Sequence, residues 1–161
     1  MRIRLAAPIL LTLLTVTACT GAATREPPPV APTSVDVAQS CVAAEETSPL
    51  PGWARAGFTP PDQPVVHVSG RRGDIVGVVF GDPLHAPALA GRGNKILWVA
   101  KTWGAPLKIH ATLNGSSLAV DREVAGGTGP SLIDMPKAGC WTFTLSWPGH
   151  HDELAIPYTG A

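Results

Sequence analysis

The chain has 161 residues, 45% of them hydrophobic and 15% charged, a balance that fits a globular protein. Twelve basic residues meet twelve acidic ones, and removing Arg2 and Arg4 with a leader leaves ten (12 − 2) against twelve, which excludes the electrostatic footprint of a nucleic-acid binder. Once the first segments are set aside, the remainder has the size of one domain.

Residues 1–18 read as a lipoprotein signal peptide. Met1-Arg2-Ile3-Arg4 is a short positive region, and residues 5–16 (LAAPILLTLLTV) form an apolar run shorter than the ~20 residues needed to span a bilayer core. Val16-Thr17-Ala18-Cys19 then resembles the bacterial lipobox, in which an aliphatic residue and two small residues precede a cysteine. The resemblance implies a diacylglyceryl group on the Cys19 sulfur, cleavage before Cys19 and acylation of the new amino terminus with a fatty acid such as palmitate. Each buried methylene contributes ~0.8 kcal/mol, so two or three acyl chains hold the chain at the membrane without a transmembrane helix. The expected location is the extracytoplasmic face of the cell membrane.

Residues 19–37 are expected to be the lipidated amino terminus followed by a flexible, disordered spacer. The stretch TGAATREPPPVAPTSVDV is rich in Pro, Ala and Thr and has no apolar period with which to bury a face.

Residues 38–161 change character to short runs of alternating or β-branched residues divided by Gly and Pro. Strands are expected at 65–68, 74–80, 95–101, 107–113, 118–124, 131–134, 140–147 and 153–158. The fold class is therefore all-β, a small antiparallel Ig-like β-sandwich. Leu107, Ile109, Ala111 and Leu113 alternate with Lys108, His110 and Thr112, and Trp141, Phe143, Leu145 and Trp147 alternate with Thr142, Thr144 and Ser146, which gives both strands one wet face. Asn114-Gly115 suits a tight turn, and Pro148-Gly149-His150-His151 suits the hairpin loop joining the last two strands.

Of three cysteines, lipidation takes Cys19 and leaves Cys41 and Cys140, which outside the cytoplasm should oxidise to a disulfide. Cys140 shares the parity of Thr142 and Thr144, so its side chain is expected away from the Trp141 and Phe143 layer and near an edge. The bridge would staple the entry segment to the start of a late strand.

The stretches Pro51-Gly-Trp-Ala-Arg-Ala-Gly-Phe58, Gly73-Asp-Ile-Val-Gly-Val-Val-Phe-Gly81, Gly93-Asn-Lys-Ile-Leu-Trp-Val99 and Gly139-Cys-Trp-Thr-Phe143 resemble a family of uncharacterised actinobacterial lipoproteins with a small disulfide-bonded β domain. The resemblance implies the location and the fold, and carries no activity.

His150-His151-Asp152-Glu153 packs two imidazoles and two carboxylates into one stretch, which makes His150 and His151 the candidate metal ligands, although adjacent residues point apart. His67, His85 and His110 show no ligand spacing. No G-x-S-x-G, S-x-x-K or H-E-x-x-H motif is present, so no catalytic residue is named. Gly126-Gly127-Thr128-Gly129-Pro130 lacks the Lys and helix of a phosphate loop, and Arg71-Arg72 between glycines reads as a solvated turn. Among five tryptophans, Trp98, Trp141 and Trp147 are expected in the core, while Trp53 and Trp103 lie in Gly/Pro-rich loops, where they are the candidate ligand contacts or cap the open ends of the sandwich. The leading expectation is a non-enzymatic binding module, without a cofactor, that meets an envelope protein or glycan. The alternatives are a metal-binding module using His150 and His151, and a small hydrolase whose groups meet only in space.

Overall fold

The computed structural model describes Cys41 and residues 45–161; the signal peptide, Cys19 and all of the spacer expected from the sequence lie outside the described residues. Within them ten strands follow in chain order: β1 Glu45–Pro49, β2 Pro64–Ser69, β3 Ile75–Phe80, β4 His85–Ala86, β5 Lys95–Ala100, β6 Leu107–Leu113, β7 Ala119–Val124, β8 Pro130–Leu132, β9 Gly139–Trp147 and β10 His150–Gly160, with one 3₁₀ turn at Gly52–Ala54. They form two five-stranded sheets, ordered β1-β2-β3-β5-β8 and β4-β10-β9-β6-β7. All pairings are antiparallel except that of β4 with β10, a two-residue parallel contact. The all-β sandwich expected from the sequence is what the chain forms.

Strand alternation builds the main core. In β6 and β9 the apolar set Leu107, Ile109, Ala111, Trp141, Phe143 and Leu145 is buried, while Lys108, His110, Thr144 and Ser146 lie on the other face. β2 adds Val68, β3 adds Ile75 and Val79, and β5 adds Ile96 and Trp98 from the opposing sheet. Each buried indole N–H finds an acceptor: Trp98 donates to Ser131 Oγ, Trp141 to the Lys137 carbonyl and Trp147 to the Thr102 carbonyl, each at 2.9 Å. That satisfaction removes the desolvation cost a lone N–H would carry.

The centre of the first sheet is buried on both faces, which the near-continuous apolar run of β3 reflects. Its outer face carries Val65, Val76, Val78, Leu97 and Val99, and the segment after β1 lays Leu50, Trp53, Ala54 and Phe58 over them as a second small core. Trp53 therefore covers a sheet face, half-buried, and does not cap an end of the sandwich.

The four sheet edges are short or charged. β4 has two residues, β8 three including Pro130, β1 opens with Glu45-Glu46, and β7 carries Asp121-Arg122-Glu123. Each device discourages pairing with another strand.

Cys41 and Cys140 are disulfide-bonded with their Cα atoms 5.5 Å apart. Both are buried, at 1% and 5% exposure, outside the main core cluster. Cys140 opens β9 on the outer face of the second sheet, but β9 lies between β10 and β6, so the expected position near a sheet edge is corrected to the end of an interior strand. Asn114 packs over it, donating from Nδ2 to Cys140 Sγ at 3.1 Å and accepting from Thr142 Oγ1 at 2.7 Å.

Candidate functional site

The outer face of the second sheet is the wet face that the alternation of β6 and β9 produces. Cross-strand register arranges its side chains in rows. Asp121 of β7 pairs with His110 of β6, His110 with Thr144 of β9, and Thr144 with Glu153 of β10. One step along the strands, Glu123 pairs with Lys108, Lys108 with Ser146, and Ser146 with His151. Directly opposed side chains have Cβ atoms about 5 Å apart, so each row is a chain of neighbours.

These rows line an open cavity of about 580 Å³, walled by Lys108, His110, Asp121, Glu123, Thr144 and Ser146 together with Ile109 and Arg122. Two smaller hollows adjoin it: one of about 270 Å³ shares Lys108 and Ser146 and is closed by Pro106, Trp147 and Pro148, and one of about 220 Å³ shares Thr144 and reaches Arg71 and Arg72. Together they make a groove across the sheet.

Within the groove His110 Nδ1 lies 2.7 Å from Asp121 Oδ1. An ionised carboxylate only accepts, so Nδ1 carries the hydrogen of this bond. Side-chain exposures of 52% and 83% place the pair in solvent, where it orients the imidazole more than it stabilises the fold. At the other end of that row Glu153 is bridged by Arg71 at 2.8 Å.

The His150-His151-Asp152-Glu153 stretch belongs to β10, and the expected four-residue hairpin loop is corrected to the two residues Pro148-Gly149, because His150 already pairs with Trp147 and His151 with Ser146. Proline followed by glycine at φ +76° is what a tight turn of this kind requires. Strand alternation then separates the four side chains. His150 stacks on Trp147 with ring centroids 5.5 Å apart, and His151 is exposed beside the hollow that Glu153 also lines. Asp152 is turned inward and 2% exposed, accepting from the backbone N–H groups of Arg72, Asp74 and Glu153 at 2.8–3.0 Å. Its carboxylate holds the turn between β2 and β3, and a Cβ at Gly70 would run into it. Among the described residues no three His, Cys, Asp or Glu side chains converge as a metal site.

The remaining histidines are dispersed. His67 is buried with Nδ1 3.0 Å from the Val65 carbonyl, and His85 sits against Thr159 and Gly160. His110 is the histidine that walls the main cavity. Trp103 is 68% exposed in the connection between β5 and β6, and Trp53 lies under the Lys101 ammonium, which is 5.6 Å from its ring. The stretch 126–129 is a loop folded against the Gly104 carbonyl, which accepts from Thr128 N, and Pro130 opens β8.

Away from the groove, Glu45 and Tyr158 are electrostatically displaced. The half-buried Glu45 carboxyl at the start of β1 is pushed up to about 7, first by burial and second by the Asp82 charge. Burial also pushes the Tyr158 hydroxyl up, with Asp134 adding to the effect and Arg122 opposing it, while the hydroxyl donates to the Ile133 carbonyl at 2.7 Å.

Sequence reasoning missed Asp121, Thr144, Ser146 and Lys108 as neighbours of His110, because they lie on three strands and only the register unites them. The parity of β6 and of β9 gave each strand one wet face, with Lys108 and His110 on the first and Thr144 and Ser146 on the second, which was the available signal. Among the described residues no helix is long and apolar enough to cross a membrane. Compared with family models, with curated proteins and with solved structures, the chain finds no match.

Proposed function

We propose that the protein is an extracytoplasmic lipoprotein, held at the cell membrane by lipid on Cys19, whose β domain is a non-enzymatic binding module for a protein or glycan of the envelope. Membership of the actinobacterial lipoprotein family and an Ig-like character of the sandwich belong to this reading, on the sequence stretches quoted above. The observation that carries the binding function is the groove on the outer face of the second sheet, with its open cavity of about 580 Å³. Its walls offer hydroxyls from Thr144 and Ser146, an ammonium from Lys108, carboxylates from Asp121 and Glu123 and the imidazole of His110, donors and acceptors that suit a polar ligand lying across the strands. The exposed Trp103 gives a further apolar contact. A photo-crosslinking residue placed at Thr144 or Ser146 in cells should capture a discrete adduct that the same residue at Ser116 does not, and Lys108→Glu should diminish it. Equal labelling at all three positions would remove the groove from the account.

A second reading has one observation in its favour. His110 lies 2.7 Å from Asp121 and is the cross-strand partner of Thr144, with Ser146 lining the same cavity, so a carboxylate, an imidazole and two hydroxyls share one face of the sheet. Ester hydrolysis by the purified protein that His110→Ala abolishes would favour this hydrolase over the binding module.

A further inference from the structure

Among the described residues three large apolar side chains stand exposed: Phe80 at 40%, Leu132 at 65% and Trp103 at 68%. Two of them share a row. Phe80 ends β3 and is paired with Lys95, which opens β5 and is paired in turn with Leu132 at the end of β8. The Lys95 ammonium lies over the Phe80 ring, 5.1 Å from its centroid, and so brings a positive charge to the apolar row. Arg92 is beside them, donating to the carbonyls of Gly81 and Asp82.

This row lies at the end of the sandwich that carries Cys41. Ile133, next to Leu132, accepts from the Tyr158 hydroxyl, and Tyr158 pairs with Gly139, the neighbour of Cys140. Asn94, next to Lys95, is bonded in both directions to His85, which pairs with Thr159 beside Tyr158. Cys140 carries the disulfide to Cys41, so Cys41 is fixed to this end. Trp103 belongs to the opposite end, where Thr102 accepts from Trp147 at the close of β9.

We propose that the end of the domain carrying Phe80, Lys95 and Leu132 rests on the phospholipid bilayer. The two apolar side chains enter the boundary between headgroups and acyl chains, and the Lys95 ammonium meets lipid phosphate. The inference rests on the Cys19 anchor proposed above. Between Cys19 and Cys41 the chain advances 22 residues (41 − 19), a reach of at most ~75 Å, so the anchor holds the domain at high effective concentration over the surface. A patch of this size is too weak to bind a membrane from free solution, but under that restraint it is sufficient to orient the domain. Asp82 and Asp134 stand at the same end, and the fit is therefore by apolar insertion with local pairing at Lys95, not by net charge. In this orientation Trp103 lies at the end away from the membrane.

Hydroxyl-radical footprinting of the lipidated mature protein on phosphatidylcholine–phosphatidylglycerol vesicles tests this against the Cys19→Ala protein in buffer. Oxidation of Phe80 and Leu132 should fall several-fold on the vesicle while that of Trp103 is unchanged. The lipidated Phe80→Ser/Leu132→Ser protein should still float with vesicles yet leave Lys95 as reactive to acylating reagents as in the free protein. Flotation without protection of Phe80 and Leu132 would overturn the docking and leave the anchor standing, as would protection of Trp103 in their place. Protection that appears without vesicles and grows with protein concentration would assign the patch to a second copy of the chain and overturn the proposal. Failure of the lipidated protein to float would overturn the anchor itself.

Discussion

Asp152→Ala removes a carboxylate that accepts three backbone N–H groups and leaves the turn between β2 and β3 without its clasp. Hydrogen bonds to a charged group contribute about 1.5–3 kcal/mol each when counted singly. The three here share one carboxylate, and the Arg72 amide lies in an exposed turn that water can reach, so the net loss should be about 3–4 kcal/mol and not their sum. For a domain of this size that lowers the melting temperature by roughly 10–20 °C. Asp152→Asn keeps the shape and one acceptor and should cost about 1–2 kcal/mol. Urea denaturation followed by circular dichroism gives both values, and hydrogen exchange adds the local signature: the Arg72 and Asp74 amides should lose protection before the amides of β6 and β9. A loss below about 0.5 kcal/mol for Asp152→Ala, with those amides still protected, would refute the assignment of this buried carboxylate to the turn.

Replacing Cys41 and Cys140 with serine opens a loop with a sequence separation of 99 and should cost about 2–5 kcal/mol while the β-sheet circular dichroism of the folded fraction is retained. Intact mass before and after reduction and alkylation checks the bridge itself, and two free thiols in oxidatively folded protein would contradict it. Glu45 titrates near 7 in the folded chain and at its ordinary lower value when unfolded, so the folded state binds the extra proton between those values and stability falls as pH rises through that window. Discounted for its half exposure, the effect should be about 1 kcal/mol between pH 5 and 8, and Glu45→Gln should abolish it. A melting temperature of the native protein that rises over this range, with the variant following it, would show the sign to be wrong.

Much of the fold was legible because its strands are half-buried and alternate. The period of two in β6 and β9 marked both their bounds and their wet face, and the same period, followed back along β10 from Tyr158, Ile156 and Leu154, turns Asp152 inward. Reading Pro148 to His151 as the loop hid that parity and made a cluster of side chains whose members the strand sends to opposite faces. β1 was not legible, since Glu-Glu-Thr-Ser-Pro carries no apolar alternation and pairs only because β2 offers a free edge. Nor was the covering role of Leu50, Trp53 and Phe58: a Gly/Pro-rich stretch reads as a loop, and only the apolar outer face of β3 and β5 gives it something to bury. The groove depends on the register of β6 with β9, which sets His110 opposite Thr144 and Lys108 opposite Ser146 across a long stretch of intervening chain, information that no local pattern holds.

The anchor on Cys19 underlies both the proposed location and the orientation of the domain, and metabolic labelling with a clickable fatty acid tests it most directly. The account predicts a labelled wild-type protein in the membrane fraction and a Cys19→Ala protein that is unlabelled and either soluble or unprocessed. Equal labelling of the two would contradict it.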